Sequence, residues 1–252
     1  MIKLSFLCSQ LDAWLQPSKF IDYAPNGLQV EGKGEISKLG LAVSASKKII
    51  EAAIEWEADA LLVHHGFFWK GESQCLTGMK GSRIKALMAN DLSLIAYHLP
   101  LDHHLEFGNN IALKKRLSLD GEFTISEIDK LVANISLYSA IYLDDCVATI
   151  ERELHRKPIL VRSPLGRDPI RKIAICTGGA QEKITVAHQD QCDLFISGEI
   201  SERTTHEARE LGVHYISAGH HASERYGVQA LGAKISNEYS VITQFFEEFN
   251  PA

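Results

Sequence analysis

The sequence lacks the features that mark several large classes of protein. No apolar run approaches the ~18 residues that a membrane-spanning helix requires. There is no Cys-x-x-Cys pair, and the five cysteines (Cys8, Cys75, Cys146, Cys176 and Cys192) are scattered and odd in number, for which reduced thiols are the simplest reading. No complete P-loop and no G-x-G-x-x-G is present. Positive charge is not in excess: 26 Lys and Arg against 32 Asp and Glu leave a net charge of −6, without the electrostatic footprint of a duplex-binding module. The one local basic cluster, Lys114-Lys115-Arg116, reads as solvated surface. The apolar start Met1–Cys8 is followed at once by Ser9, Gln10 and Asp12, too short for a signal peptide, so a soluble cytoplasmic protein is expected. With 45% hydrophobic and 23% charged residues, disorder over most of the chain is excluded.

What is present is histidine. There are eleven, and most of them fall in three tight groups: His64-His65, His98 with His103-His104, and His220-His221. A pass along the chain places these groups. Leu4, Leu7, Leu11, Trp14 and Leu15 predict an opening amphipathic helix over 4–15, ended by Pro17. Asp22–Gly27 is a turn and Leu28-Gln29-Val30 a short strand. Leu39–Val43 is a strand, Ser46 caps a helix over 47–57, and Ala60–Val63 is a buried strand running into His64-His65-Gly66. A glycine-bearing loop over 67–80, a helix near 82–90 and a strand near 92–98 follow, the last ending in His98-Leu99-Pro100-Leu101-Asp102. Alternating strands and helices imply a largely parallel sheet covered by helices.

The second half replays the first. The strand at 39–43, its helix and Asp59–Val63 correspond to 173–177, a helix and Asp193–Ser197, an offset of 134 residues. Leu94–His98 with Asp102 corresponds to Tyr215–His220 with Glu224, an offset of 122, and the loop 67–80 accounts for the difference. The expected fold class is α/β: two related lobes with mixed, largely parallel sheets flanked by helices, and a dinuclear metal site between them. The expected boundaries are 1–125 for the first lobe, 126–235 for the second with a smaller inserted or interface segment, and 236–252 for a C-terminal strand returning to the first lobe.

Three segments share one design, an apolar strand ending in histidine with a carboxylate nearby: Val63-His64-His65, Tyr97-His98 with Asp102, and Gly219-His220-His221 with Glu224. In parallel sheets ligands bind outside the carboxyl ends of strands, where these groups lie. Imidazole with carboxylate suits Zn, Fe, Mn, Ni or Co rather than Ca. Adjacent His64 and His65 point to opposite sides of an extended strand and can serve one ion each. Pro100 predicts a turn rather than a helix between His98 and Asp102. His220 and Glu224 stand four apart at a helix start, on one side, with Glu224 in the first turn. Two carboxylates and three or more imidazoles exceed the needs of one tetrahedral ion and fit two ions ~3.5–4 Å apart.

The segments Ala60–Gly66, Tyr97–Asp102 and Ser217–Glu224 resemble the signature segments of the Nif3-like family, the GTP cyclohydrolase I type 2 homologues. Asp22–Gly32, Phe68–Glu72 and Cys176–Gly179 are similar too. The resemblance spans nearly the whole chain and is greatest to the short bacterial members. It implies a dinuclear centre with His64, His65, Asp102, His220 and Glu224 as ligands and Glu224 as the bridge. It also implies a two-lobed fold assembled as a toroidal homohexamer, a trimer of dimers, with the metal sites facing an inner cavity. The expected function is metal-dependent hydrolysis of a nucleotide or related small molecule, with two divalent ions per subunit and His98 or Glu199 moving the proton. The alternative is a non-catalytic metal-binding scaffold, metal chaperone or regulatory partner-binding protein.

Other residues carry weaker signals. His206 is a candidate substrate contact beside Glu199. His103 and His104, like His155 and His188, are expected on the surface. Thr177-Gly178-Gly179 reads as a turn in preference to a phosphate cradle. Phe68 and Trp69 fit either a nucleobase stack or an interface patch.

Overall fold

Apolar residues recur at the helical and extended periods, and the elements follow them. The computed structural model describes all residues 1–252. In chain order these are β1 (Ile2–Lys3), α1 (Leu4–Leu15), β2 (Gly27–Val30), β3 (Glu35–Ile36), β4 (Lys38–Ser44), α2 (Lys47–Glu55), β5 (Ala60–His65), α3 (Gly78–Ala89), β6 (Ser93–Ala96) and α4 (Leu99–His103). Then come α5 (Asn109–Arg116), β7 (Gly121–Ile125), β8 (Ala133–Ile141), α6 (Leu143–Leu154), β9 (Ile159–Val161), β10 (Ile170–Cys176), α7 (Ile184–Gln189), β11 (Leu194–Ser197), α8 (Glu202–Leu211), β12 (His214–Ser217), α9 (His220–Tyr239) and β13 (Ile242–Phe245).

The chain divides into two compact units, Met1–Gly108 with Val228–Phe249 and Asn109–Gly227 with Asn250–Ala252. Unit 1 holds a five-stranded sheet in the order β13-β4-β5-β6-β2. Its β4, β5, β6 and β13 are parallel, and β2 closes one edge antiparallel. The central strands are apolar on both faces because helices cover both, as parallel sheets require. Leu4, Leu7, Leu11 and Leu15 of α1 pack with Leu39, Leu41, Leu62 and Ile95 in one layer; Ile49, Ile50 and Ala53 of α2 pack with Leu61, Val63 and Leu94 in the other. Helix α1 ends where Gln16 turns left-handed before Pro17. Helix α2 begins at Ser46, whose Oγ accepts the Ile49 N–H. Helix α3 starts at Gly78, earlier than the expected position near 82, which shortens the preceding loop.

Unit 2 holds a six-stranded mixed sheet in the order β7-β8-β10-β11-β12-β9. Its centre, β10-β11-β12, is parallel, and β8 and β9 flank it antiparallel. Helix α8 carries a capping box of Ser201 and Thr204 and stops at Gly212, φ 76°.

The internal repeat extends to single hydrogen bonds. Asp59 Oδ2 accepts the N–H groups of Ser37 and Lys38, and Asp193 Oδ2 accepts those of Arg171 and Lys172. Lys38 Nζ reaches the Trp56 carbonyl and Lys172 Nζ the Asp190 carbonyl. Glu57 and Gln191 both take φ 58°. In the next strand the correspondence differs from expectation by one residue. Ala60 pairs with Ser93 and Leu194 with His214, and the Asp102 and Ser223 N–H groups donate to His98 and Gly219. Gly219 therefore occupies the place of His98, and Ser223 that of Asp102. Like residues suggested the other alignment, but backbone hydrogen bonding decides it. No helix of the structure is long and apolar enough to cross a membrane.

Candidate metal centre

In unit 1 the donors lie where β5 and β6 end. His64 is fully buried and His65 half-buried. His64 Nδ1 lies 3.0 Å from the Tyr97 carbonyl and His65 Nδ1 3.1 Å from Ser44 Oγ, on neighbouring strands. The two histidines thus lean on different partners, as strand alternation requires, although their ring centroids are only 4.5 Å apart. Asp102, also buried, places Oδ1 3.5 Å from His64 Nε2. The stretch 99–103 is a short helix and not the expected turn: Pro100 lies within its first turn, where the missing N–H costs nothing. Helical geometry carries Asp102 back over the strand end.

His98 joins this group. Its Nδ1 lies 2.6 Å from Asp22 Oδ1, and its backbone N–H donates to Asn26 Oδ1. Asp22 also accepts the N–H of Leu99 and the amide of Asn26. Burial pushes the Asp22 carboxyl up, but the hydrogen bonds from His98 and Asn26 and the His98 charge outweigh it and bring the pKa to about 2. The Trp69 ring meets His98 edge-on at 5.0 Å and His65 at 5.8 Å, and its Nε1 donates to the Gly66 carbonyl. Phe68 lies apart from this group, with Lys80 over its face.

In unit 2 the donors lie at the start of α9. His220 Nε2 is 3.2 Å from Glu224 Oε2, and its Nδ1 is 2.7 Å from Glu199 Oε1. Burial lowers the His220 pKa, but hydrogen bonding and charge from Glu224 and then Glu199 overcome it and raise it to about 9. The helix begins at His220 itself, so Glu224 stands in the second turn and not the first. Gly178, φ 71°, faces this pair; a Cβ there would run into Glu224 Oε1 and approach His220 Nε2. Its N–H donates to Ser223 Oγ, and the Thr177 N–H to Asn110 Oδ1. Thr177-Gly178 is thus a turn that keeps space open beside Glu224, and its N–H groups are spent within the protein rather than turned to a phosphate.

The other candidates fall into place. His206 lies on the exposed face of α8, and His155 and His188 are exposed as expected. His103 and His104 depart from expectation and are half-buried: His103 packs edge-on to Phe20, and His104 stacks on Phe107 and accepts the N–H groups of Glu106 and Phe107. Arg116, at the end of the basic cluster, pairs with Glu153. Asp22 and Ser44, which hold His98 and His65, carry no sequence signal of a site. Asp22 reads locally as a turn residue, and no local signal ties it to a histidine 76 positions on.

The residues fit a borderline divalent cation. The Tyr97 carbonyl can only accept, so neutral His64 carries its proton on Nδ1 and offers the lone pair of Nε2. The Asp22 carboxylate faces His98 Nδ1 in the same way, and Glu199 faces His220 Nδ1 while Glu224 faces its Nε2. Nδ1 held by an acceptor with Nε2 left as donor is the usual construction of metal-ligating histidine, and carboxylates beside the Nε2 atoms of His64 and His220 complete a mixed nitrogen and oxygen donor set.

Comparison with known proteins shows the family. A family profile described as Duf34/NIF3 (NGG1p interacting factor 3) matches residues 2–251. The chain belongs to the DUF34/NIF3 family. It is 48% identical over 242 residues to a Haemophilus influenzae protein named GTP cyclohydrolase 1 type 2 homolog, covering 94% of this chain and 95% of the relative. An Escherichia coli relative of the same name is 42% identical over 238 residues, covering 94% and 95%. Among solved DUF34/NIF3-like structures, one described as protein ybgI, of unknown function, superposes with a TM-score of 0.94 at 41% identity over the full length of both chains. TTHA1606 from Thermus thermophilus superposes with a TM-score of 0.90 at 30% identity, again over both full lengths.

Proposed function

We propose that the protein is a metal-dependent hydrolase acting on a nucleotide or a related small molecule. In this reading His64, His65 and Asp102 together with His220 and Glu224 would hold two divalent ions, which is the ligand set that the family resemblance implies. The supporting observation is the paired construction: His64 and His220 each turn Nδ1 to a fixed acceptor and Nε2 to a carboxylate, at strand ends of a parallel sheet. Ions held there supply Lewis acidity and activation of water. The chain's own groups do the rest. Glu199, with a side chain 44% exposed, fixes the proton on His220 Nδ1 and can pass one to solvent. Asp22 holds His98 Nδ1 at 2.6 Å and so orients the His98 ring. The family name carried by the relatives makes GTP one substrate to test, within a panel of phosphate esters, cyclic amidines and amides.

A metal titration of apo-protein across that panel tests the reading. Activity should rise with loading and require both ions. Absence of activity at every loading across the panel, or equal activity in apo-protein, would replace the hydrolase with a binding scaffold or metal carrier. We further propose a cytoplasmic homohexamer on the family resemblance; a species near 28.0 kDa in sedimentation at micromolar concentration would exclude it.

A further inference from the structure

We propose that unit 2 holds a ligand site remote from the histidine donors, which takes a small amphiphilic cation, an apolar body with an ammonium or guanidinium head. The site is a cavity of about 270 Å³ between α6, the segment that follows α5, and strand β8. A cavity of ~150 Å³ takes benzene, so this one takes a body of about ten carbon atoms. Cavity and donors lie at opposite ends of the sheet. Ile141, which lines the cavity, pairs with Ile170 at the start of β10. The turn that faces Glu224 follows Cys176 at the other end of that strand, ~20 Å further along. Occupancy of the cavity depends on neither metal binding nor hydrolysis.

Floor and rim differ in chemistry. Leu117, Leu119, Cys146 and Ile150 are buried core residues and form the floor together with Leu137. Burial pushes the Cys146 thiol up to about 12, so it stays protonated and serves as apolar wall rather than nucleophile. The rim carries Asp120 and Asp145, both exposed. Neither carboxylate makes an ion pair or a hydrogen bond within the protein, whereas the adjacent Asp144 is held by Arg162. Arg152, the only cation of the lining, is turned to Glu153, with Nε 2.9 Å from Oε1. The mouth thus offers two carboxylates and no uncommitted positive charge above an apolar hollow. An alkyl or aryl body leaves water for the floor while a cationic head meets the carboxylates. The wall that β8 supplies belongs to the hairpin β7–β8, an addition to the shared frame. At the equivalent edge, beside β4, unit 1 has the single parallel strand β13.

The test titrates three probes of one shape into the full chain at neutral pH: 4-phenylbutylammonium, 4-phenylbutanol and 4-phenylbutanoate. The readout is the Ile150 methyl resonance. The ammonium probe should shift that resonance and bind with a Kd of about 0.1–5 mM, the range open to a ligand of about eleven heavy atoms. The carboxylate probe should bind ~10-fold more weakly or worse, with the alcohol between them. In Asp120→Asn/Asp145→Asn the ammonium should lose about 3–10-fold in affinity, the scale of two exposed charge pairs, and the alcohol should be unchanged. Ile150→Trp should fill the hollow and remove binding of all three. Should it fail to fold, the charge variant, altered only at exposed positions, still decides. An unmoved Ile150 methyl in the wild type, equal affinity for the three heads, preference for the carboxylate, or an ammonium affinity unchanged in the charge variant would each overturn the proposal.

Discussion

Units 1 and 2 carry the same strand–helix–strand frame with different chemistry at its ends. Asp59 and Asp193 pin the frame through the same pair of backbone N–H groups, and Glu57 and Gln191 make the same left-handed turn before them. At the end of the second strand, however, unit 1 has His64-His65 where unit 2 has Gly198-Glu199. Ser44, which supports His65, stands where unit 2 has Gly178, which makes room for Glu224. The frame is maintained by hydrogen bonds to the main chain and is indifferent to the residues beyond the strand ends. Those residues were free to diverge, and each unit now carries an imidazole–carboxylate pair built differently. Unit 1 takes its histidines from a strand and its carboxylate from a short helix; unit 2 takes both from one helix turn.

The sharpest way to break the comparison is to remove one unit's donors. Glu224→Ala should empty at least one metal position per subunit in a folded chain, and any turnover should fall by about two powers of ten or more. Full metal content by elemental analysis would deny unit 2 its role. His64→Ala should cut kcat rather than the binding of a substrate analogue, because activation of water matters chiefly in the transition state. A KM effect with unchanged kcat would count against that.

The equivalent positions Ser44 and Gly178 should respond unequally. Gly178→Ala forces a Cβ against Glu224 in a left-handed backbone and should cost about 1–3 kcal/mol in denaturant melts, with weakened metal binding. Ser44→Ala loses one side-chain hydrogen bond to His65 and should cost about 1 kcal/mol. Equal losses would show that the glycine is not what keeps the unit 2 site open.

The shared frame predicts equality instead. Asp59→Ala and Asp193→Ala each strip an acceptor from two backbone N–H groups and should each cost about 1–3 kcal/mol. Asp59 adds a pH dependence. Burial raises its pKa, but hydrogen bonds from Lys33, Lys38 and Ser37 outweigh this and hold it at about 2. A carboxylate depressed in the folded state stabilises above its unfolded pKa of ~3.9 and loses that stabilisation as pH falls through the folded value. The acid limb of stability between about pH 4 and pH 2 should therefore shrink in Asp59→Asn. The smallest expected effect is at Glu57 and Gln191. Replacing either with glycine relieves a left-handed L-residue and should raise stability by up to about 1 kcal/mol, in both units alike. A gain in one and a loss in the other would mean that the turns differ in more than sequence.

Most individual elements of the frame were legible because they rest on local periodicity. Leu4, Leu7, Leu11 and Leu15 repeat at helical spacing and form one buried face, and Ser46 caps the helix that follows it. Pro100 misled because proline predicts a break in a helix interior, whereas within a first turn it is accommodated. His103 and His104 misled because polarity suggested solvent, while Phe20 and Phe107 supplied partners that no local rule locates. Residue likeness pairs Asp102 with Glu224, one position away from the register that backbone hydrogen bonds set.

The sequence by itself determined the alternation of strands and helices, the repeat, the absence of an apolar run long enough to span a membrane, and the placing of histidines at strand ends. These follow from side-chain period and spacing, which act over a few residues. Only the tertiary structure decided which protein group holds Nδ1 of each histidine. That depends on the Tyr97 carbonyl, Ser44, Asp22 and Glu199, which lie 33, 21, 76 and 21 positions away from the rings they hold. A hydrogen bond of that sequence separation is set by strand register and loop path. No property of the residues near His64, His65, His98 or His220 encodes it, and folding alone brings the acceptor to the ring.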